Sequence, residues 1–590
     1  MNTFEIKEDF YLNNKKIKII SGSIHYFRIV PQYWRDRLEK LKALGCNTVE
    51  TYIPWNLHES KKGEFNFSGG NDFVKFINIA KELDLHVILR PTPYICAEWD
   101  FGGLPAWLLK DSNMRVRSNY EGFLNAVDSY FEELFKYIVP LQITNGGPIL
   151  MMQIENEYGS FGNNKEYLRN IKNLMIKHGS TVPLFTSDGG SIDFLEPGTL
   201  IEDGILPTAN FGSRSSEQLN NISDFMKANN FEGPLMCMEF WIGWFNNWGG
   251  EFKRRDAEEV SKELDDILKI GHVNTYMFHG GTNFGFFNGS SYHNSIDPQT
   301  TTYDYDALLT EWGDITPKYE AFKKVISKYT NIPEVKFSTN IKKINYGEIS
   351  LTNKVSLFNT LHTLSNKVIS ETTLPMEKLD QNYGYILYKA NVGDKRTLAN
   401  FKLVGMDDRA QIFVNEDLIY TKYKENFVGD NTSLDLPKEK NNILAILVEN
   451  LGRINYGASL ISPSQSKGLK GGVMLDMYFH DNFEHYSLDL ENIDKVDFSL
   501  GYKENTPTFY EYTFNVSEIG DTFINVEGFG KGCVFINNFN LGRFWDIGPT
   551  NYLYLPGPLL KIGKNKIIIF ETEGKYRDTI NLSDEPCYTK

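Results

Sequence analysis

Apolar residues in the first 330 positions recur in two alternating rhythms. Trp34, Leu38, Leu41 and Leu44 fall three or four apart, and Gly45 follows directly as a helix stop. A short strand-like run, Asn47-Thr-Val-Glu-Thr-Tyr-Ile53, comes at once, and Asn71-Asp72 then opens a second helix that turns Phe73, Phe76, Ile79, Ala80 and Leu83 inward. Continued this way, the pattern gives eight strand candidates, at 17–22, 47–53, 86–90, 149–154, 182–186, 205–210, 234–239 and 274–279. Eight strand–helix units predict an α/β fold, the (β/α)8 TIM barrel. A doubly wound open sheet would seldom need eight repeats, and no GxGxxG opens the first helix.

The rhythm changes after Lys328. Asn331-Ile-Pro-Glu reads as a linker, and beyond it lie short β runs separated by Asn, Gly and Asp, at 385–388, 410–415 and 442–448. A further β block starts near Pro507 and includes 533–538 and 566–570. The expected organisation is a catalytic TIM barrel over 1–330, a first all-β domain over 331–500 and a second over 501–590. Both all-β domains are expected to be sandwiches or jelly rolls.

Composition narrows the partners. With 61 Lys and Arg against 76 Asp and Glu, the net charge of −15 argues against nucleic acid and against an anionic membrane surface. No run of about 18 apolar residues and no secretory leader is visible, so no membrane association is expected. Five cysteines, odd in number and far apart, fit a reducing compartment, and a cytoplasmic location is expected. The ten histidines show no metal-ligand spacing; neither a metal nor an organic cofactor is expected. A homo-oligomer is compatible with all of this. Eight of nine Trp lie at or before Trp312, which fits either an aromatic-walled site or a large core.

In a barrel the chemistry sits at the C-terminal strand ends. Here those ends are rich in carboxylates: Glu59 after the second, Glu98 after the third, Glu155 and Glu157 after the fourth, Glu239 at the seventh. No Lys stands at these ends for a Schiff base, and no Gly-rich phosphate loop is present. Carboxylates surrounded by Trp, Tyr and Asn suit glycoside hydrolysis, in which two carboxyl groups flank the bond and rings pack under the sugar. Strand alternation puts Glu155 and Glu157 on one face and does not choose between them. Glu239 follows the apolar run Pro-Leu-Met-Cys-Met, where a carboxylate is too costly to bury without a reason.

Gly146-Gly-Pro-Ile-Leu-Met-Met-Gln-Ile-Glu-Asn-Glu-Tyr158 resembles the signature of glycoside hydrolase family 35, the retaining β-galactosidases, here of the bacterial, cytoplasmic type. The similarity extends through Ser21-Gly-Ser-Ile-His25, Thr51-Tyr-Ile-Pro-Trp-Asn56, Tyr94-Ile-Cys-Ala-Glu-Trp99 and Gly280-Gly-Thr-Asn-Phe284. It continues in the β half through Val448-Glu-Asn-Leu-Gly-Arg-Ile-Asn-Tyr-Gly457 and Phe539-Asn-Leu-Gly-Arg-Phe-Trp545. The resemblance implies a retaining exo-β-galactosidase that removes terminal β-D-galactosyl residues from oligosaccharides by double displacement. It implies Glu157 as acid/base, Glu239 as nucleophile and Asn156 as the amide on the sugar 2-hydroxyl. It further implies galactose contacts at Tyr52, Ala97 (through its backbone), Glu98 and Tyr305, and a galactose-binding-like last domain. The chain departs from the family at Leu308, where the family carries Pro.

Trp241 and Trp244, close behind Glu239, are candidates for a platform beside the sugar or for support of the loop. Tyr456 is a candidate for reaching over the barrel mouth to the leaving-group side. Glu155 is expected to pair with an Arg, His58 and His279 to be structural, and Cys96 and Cys237 to be buried packing. Glu157 needs a raised pKa, from burial and from Glu239. The alternatives are an exo-β-glycosidase for another sugar, such as glucosamine, and a non-catalytic carbohydrate-binding protein.

Overall fold

Eight parallel strands close on themselves in the computed structural model, which describes residues 2–338, 341–424 and 432–589. They are β1 (Ile20–Ile24), β2 (Thr48–Tyr52), β3 (His86–Arg90), β4 (Ile149–Gln153), β5 (Leu184–Gly189), β6 (Leu206–Phe211), β7 (Met236–Trp241) and β8 (His272–His279), with β8 pairing back onto β1. Each overlaps an expected strand. Nearly every strand residue is buried, as required when helices cover one face and the barrel interior fills the other.

The helices follow from their apolar stripes. Trp34–Leu44 buries Trp34, Leu38, Leu41 and Leu44 against the barrel and ends at Gly45 in a left-handed conformation, φ 106°. Phe73–Glu82 starts at Asp72, whose side chain accepts from the Lys75 N–H at 2.9 Å. Among the described residues no helix is long and apolar enough to cross a membrane.

Strand β7 carries an irregularity. Its register shifts against both neighbours between Cys237 and the residues that follow, so Glu239 leaves the regular alternation at a bulge. Strand β4 ends at Gln153, and Glu155 and Glu157 beyond it have φ of 56° and 48°. The backbone has therefore already left the extended conformation at the two positions between which alternation had to choose.

The β half contains two sandwich-like modules. In the first, a six-stranded sheet and a four-stranded sheet enclose a core built on Ile386, Tyr388, Ile412, Ile446 and Val473. The second is an eight-stranded sheet wrapped round Tyr510, Tyr512, Val534, Ile567 and Ile569. The expected boundary at 500/501 needs a correction. Strand Gly347–Ser356 pairs with Thr508–Val516 on one side and Thr579–Ser583 on the other, so it belongs to the last module. The first all-β module is inserted into the second.

Buried ions tie the modules to the barrel. Arg453 donates its N–H to Asp100 at 2.7 Å, and its guanidinium meets Asp100 at 3.2 Å and Glu377 at 2.6 Å. Arg543 reaches Asn288 of the barrel at 2.9 Å and Glu449 of the first module at 3.0 Å. Glu449, 1% exposed, also meets Lys531 at 3.0 Å and Arg409 at 3.4 Å.

Candidate active site

The C-terminal strand ends surround a cavity of about 480 Å³. Asn156, Glu157, Glu239, Tyr276 and Tyr305 line it from the barrel. Asn455 and Tyr456 close it from the first β module. Gly102 permits that approach: at φ +60°, a Cβ there would lie 2.3 Å from the Tyr94 ring and 3.1 Å from the Asn455 carbonyl. The Tyr94 hydroxyl donates to that carbonyl at 2.6 Å.

Glu239 is surrounded by donors. The Tyr52 hydroxyl lies 2.6 Å from Oε1, the Trp241 indole N–H donates to Oε2 at 3.0 Å, and an Arg90 guanidinium nitrogen sits 2.6 Å from Oε1. Arg90 is fully buried and stacks on the Tyr52 ring at 3.9 Å. The same guanidinium donates to Asn156 Oδ1 and to Gln153 Oε1, each at 2.7 Å, which fixes Asn156 relative to Glu239.

Glu157 and Glu155 are separated by their surroundings. Glu155 is consumed: Arg117 grips both its oxygens at 2.9 and 2.8 Å, Tyr167 donates at 2.8 Å, and the Asn156 N–H donates at 2.6 Å. Glu157 faces the cavity and receives one side-chain hydrogen bond, from Asn210 Nδ2 at 2.8 Å. Burial first, and the negative charge of Glu239 second, hold the Glu157 carboxyl well above the usual carboxylate range. One carboxyl thus retains its proton at neutral pH beside another that is set among cationic and polar donors.

The third-strand loop is shaped by strain. Cys96, Ala97 and Glu98 all have positive φ, at 56°, 50° and 50°, costs of order 1–3 kcal/mol each that the surroundings must impose. Arg28 imposes them in part: it donates to the Ala97 carbonyl, to Asn283 at 2.8 Å, and lies 3.7 Å over the Tyr303 ring. The Ala97 carbonyl already accepts one hydrogen bond, from Arg28, and Ala97 lines the cavity. Glu98 lines the cavity and accepts from the Tyr303 hydroxyl; burial pushes its carboxyl up to about 7.

Tyr305, at φ 56°, also lines the cavity, Leu308 notwithstanding. Gly243 lets its loop pack against the end of β7, since a Cβ there would lie 1.8 Å from the Tyr305 carbonyl. Trp241 and Trp244 line the wall edge to face, 5.6 Å apart, with Trp244 42% exposed at the mouth. Tyr456, 46% exposed, reaches the cavity from the other module, and burial together with the charge of Glu157 pushes its phenol up to about 12. Trp34, Trp55 and Trp99 are fully buried, so much of the front-half Trp signal is core.

His58 bridges Tyr26 and the Asn66 carbonyl, a structural role. Cys237 is buried; Cys96 is buried too but forms part of the cavity wall, accepting from Asn455 at 3.4 Å. Among the described residues no cluster of three or more His, Cys, Asp or Glu is arranged to hold a metal. Sequence reasoning missed Arg28, Arg90 and Asn210. Arg90 and Asn210 each close an expected strand, so reading strand-end residues beyond the carboxylates would have found both.

The profile of glycosyl hydrolases family 35 matches residues 9–329, that of a β-galactosidase first all-β domain 373–489, and that of a β-galactosidase galactose-binding domain 507–565. The chain is 42% identical over 580 residues to "Beta-galactosidase-1-like protein 2" of Homo sapiens, covering 95% of this chain and 88% of that protein. It is 37% identical over 643 residues to "Beta-galactosidase 8" of Oryza sativa subsp. japonica, covering 99% and 95%. To "Beta-galactosidase" of Bos taurus it is 37% identical over 630 residues, covering 99% and 94%.

Proposed function

We propose that this chain, which belongs to glycosyl hydrolases family 35, is a retaining exo-β-galactosidase that releases terminal β-D-galactose from oligosaccharides. Galactose is chosen because similar proteins over nearly the whole chain carry the name β-galactosidase. The observation that carries the mechanism is the pair of cavity carboxyls in opposite environments, Glu157 with its raised pKa and Glu239 among Tyr52, Trp241 and Arg90.

In this reading Glu239 attacks the anomeric carbon while Glu157 passes its proton to the departing glycosidic oxygen, leaving a galactosyl ester on Glu239. Water, giving a proton to Glu157, then displaces Glu239, so two inversions restore the β configuration. Asn156 holds the 2-hydroxyl, Tyr52, Ala97 (through its backbone), Glu98 and Tyr305 bind the galactose, Trp241 and Trp244 form a platform beside the sugar, and Tyr456 lies on the leaving-group side. A reducing, cytoplasmic setting belongs to the proposal, supported by four buried cysteine thiols outside any disulfide.

The test is turnover of an aryl β-D-galactoside followed by NMR, with a 2-deoxy-2-fluoro galactoside as trap. β-Galactose should appear first and the label should sit on Glu239. Initial release of α-galactose, or a label on another residue, would refute the assignment.

A further inference from the structure

Behind the cavity, inside the barrel, lies a carboxyl that this chemistry does not use. Glu50, on β2, is 0% exposed. Its Oε2 accepts from the Ser23 hydroxyl of β1, and Ser23 in turn accepts from Asn274 of β8 at 2.8 Å. The same Asn274 amide donates at 2.9 Å to the carbonyl of Met238, the residue before Glu239 at the β7 bulge. Glu50 Oε1 has no hydrogen-bond partner and lies 3.7 Å from the Arg90 nitrogen that is 2.6 Å from Glu239 Oε1.

Arg90 thus stands between two carboxyl groups. Its other contacts are neutral: Gln153, Asn156 and the Tyr52 ring. Among the described residues no third carboxylate comes within 4 Å of it. This matters once Glu239 is taken as the nucleophile, on which the inference rests. Its bond to the anomeric carbon forms, the glycosidic bond breaks, and the Glu157 proton leaves on the departing oxygen. Glu239 is then a neutral ester, and a buried guanidinium that does not deprotonate has lost its anionic partner. An uncompensated buried charge is strongly destabilising.

We propose that Glu50 is the counter-charge of Arg90 in the glycosyl-enzyme intermediate, a positioning residue that stabilises the covalent state through Arg90. Burial holds the Glu50 carboxyl at about 7 in the free enzyme, with the charge of Glu239 contributing. Any proton that Glu50 sheds when that charge disappears goes to solvent and returns on hydrolysis. Ser23 supplies the donor that steadies the anion, and the unpartnered Oε1 is the oxygen left for Arg90.

The experiment compares trapping and release in the full-length enzyme with a 2-deoxy-2-fluoro galactosyl donor. In Glu50→Gln the intermediate loses its counter-charge, so trapping should slow about tenfold while reactivation after removal of excess donor becomes several-fold faster. Glu50→Asp should restore both rates in part. A site merely loosened by substitution slows both steps, so parallel losses, or two unchanged rates, would overturn the proposal. Should Glu50→Gln fail to fold, Ser23→Ala must move the two rates in the same opposite senses or the proposal falls. A wild-type enzyme that cannot be trapped at all defeats the galactosidase reading instead; normal trapping with an indifferent Glu50→Gln defeats only the role of Glu50.

Discussion

Asn210 donates to Glu157 Oε1 at 2.8 Å while its own Oδ1 accepts from the Ser187 hydroxyl at 2.6 Å. The amide is thereby oriented, and Oε2 of Glu157 is left as the oxygen that can carry the acid proton toward a substrate. A donor to the ionised carboxylate lowers its pKa. Asn210→Ala should therefore move the alkaline limb of the kcat/KM profile to higher pH and lower kcat by about ten- to a hundredfold. An unmoved limb would show that Asn210 does not set this proton.

The two cavity carboxyls should separate by leaving group. Glu157→Gln is expected to lose about 10²–10⁴-fold on alkyl galactosides, whose oxygen needs protonation, while a dinitrophenyl galactoside still forms the intermediate. Glu239→Gln should leave only background with either. Equal losses for Glu157→Gln on both substrates would argue against an acid/base role.

Glu155 predicts a different defect. Removing it leaves Arg117, 1% exposed, without the carboxylate that grips it and frees the Asn156 N–H. Glu155→Ala should cost about 3–5 kcal/mol, seen as a lowered unfolding temperature, with the surviving folded enzyme still forming the covalent intermediate. A stable but chemically dead variant would reverse the roles of Glu155 and Glu157.

The ion cluster at the domain seam should make stability rise with alkalinity. Burial first, and the charges of Arg409 and Arg543, push Lys531 down to about 8 despite Glu449. An unfolded lysine titrates at about 10.4, so between roughly pH 8 and 10 the unfolded chain holds a proton that folded Lys531 has shed. Stability contributed by this group climbs across that window, by at most about 3 kcal/mol. In Lys531→Met the corresponding slope of unfolding temperature against pH should flatten; an unchanged slope would place its origin elsewhere.

Tyr456 belongs to the first β module yet lines the barrel cavity. Tyr456→Ala should lower kcat/KM for oligosaccharides several-fold while leaving a small aryl galactoside nearly unaffected, because only the former extends past the sugar that the proposal places against Glu98 and Tyr305. Equal losses on both would place Tyr456 against the galactose itself.

The barrel and its carboxylates were legible because their causes are local. Periodicity reports which face of a strand or helix is buried, and Glu239 stood out as a charge after five apolar residues. The choice of Glu157 over Glu155 was not local, since it depends on Arg117, which arrives from another loop. Arg90 closes the strand expected over 86–90, and nothing in the sequence singles out Glu50; the two meet because β2 and β3 pair side by side, and Glu239 reaches Arg90 only when barrel closure brings β7 across from them. The module boundary escaped for the same reason, as a strand does not announce the sheet it will join.

That misplaced strand constrains how the protein is made. Gly347–Ser356 emerges from the ribosome roughly 150 residues before its partner Thr508–Val516. At synthesis rates of about 5–20 residues per second, its edges stay unpaired for on the order of ten seconds or more. Meanwhile the whole inserted module is completed and can fold. The burial pattern of the waiting strand, mostly polar or half-exposed with only Ile349, Val355 and Ser356 buried, limits the sticky surface it offers during that interval.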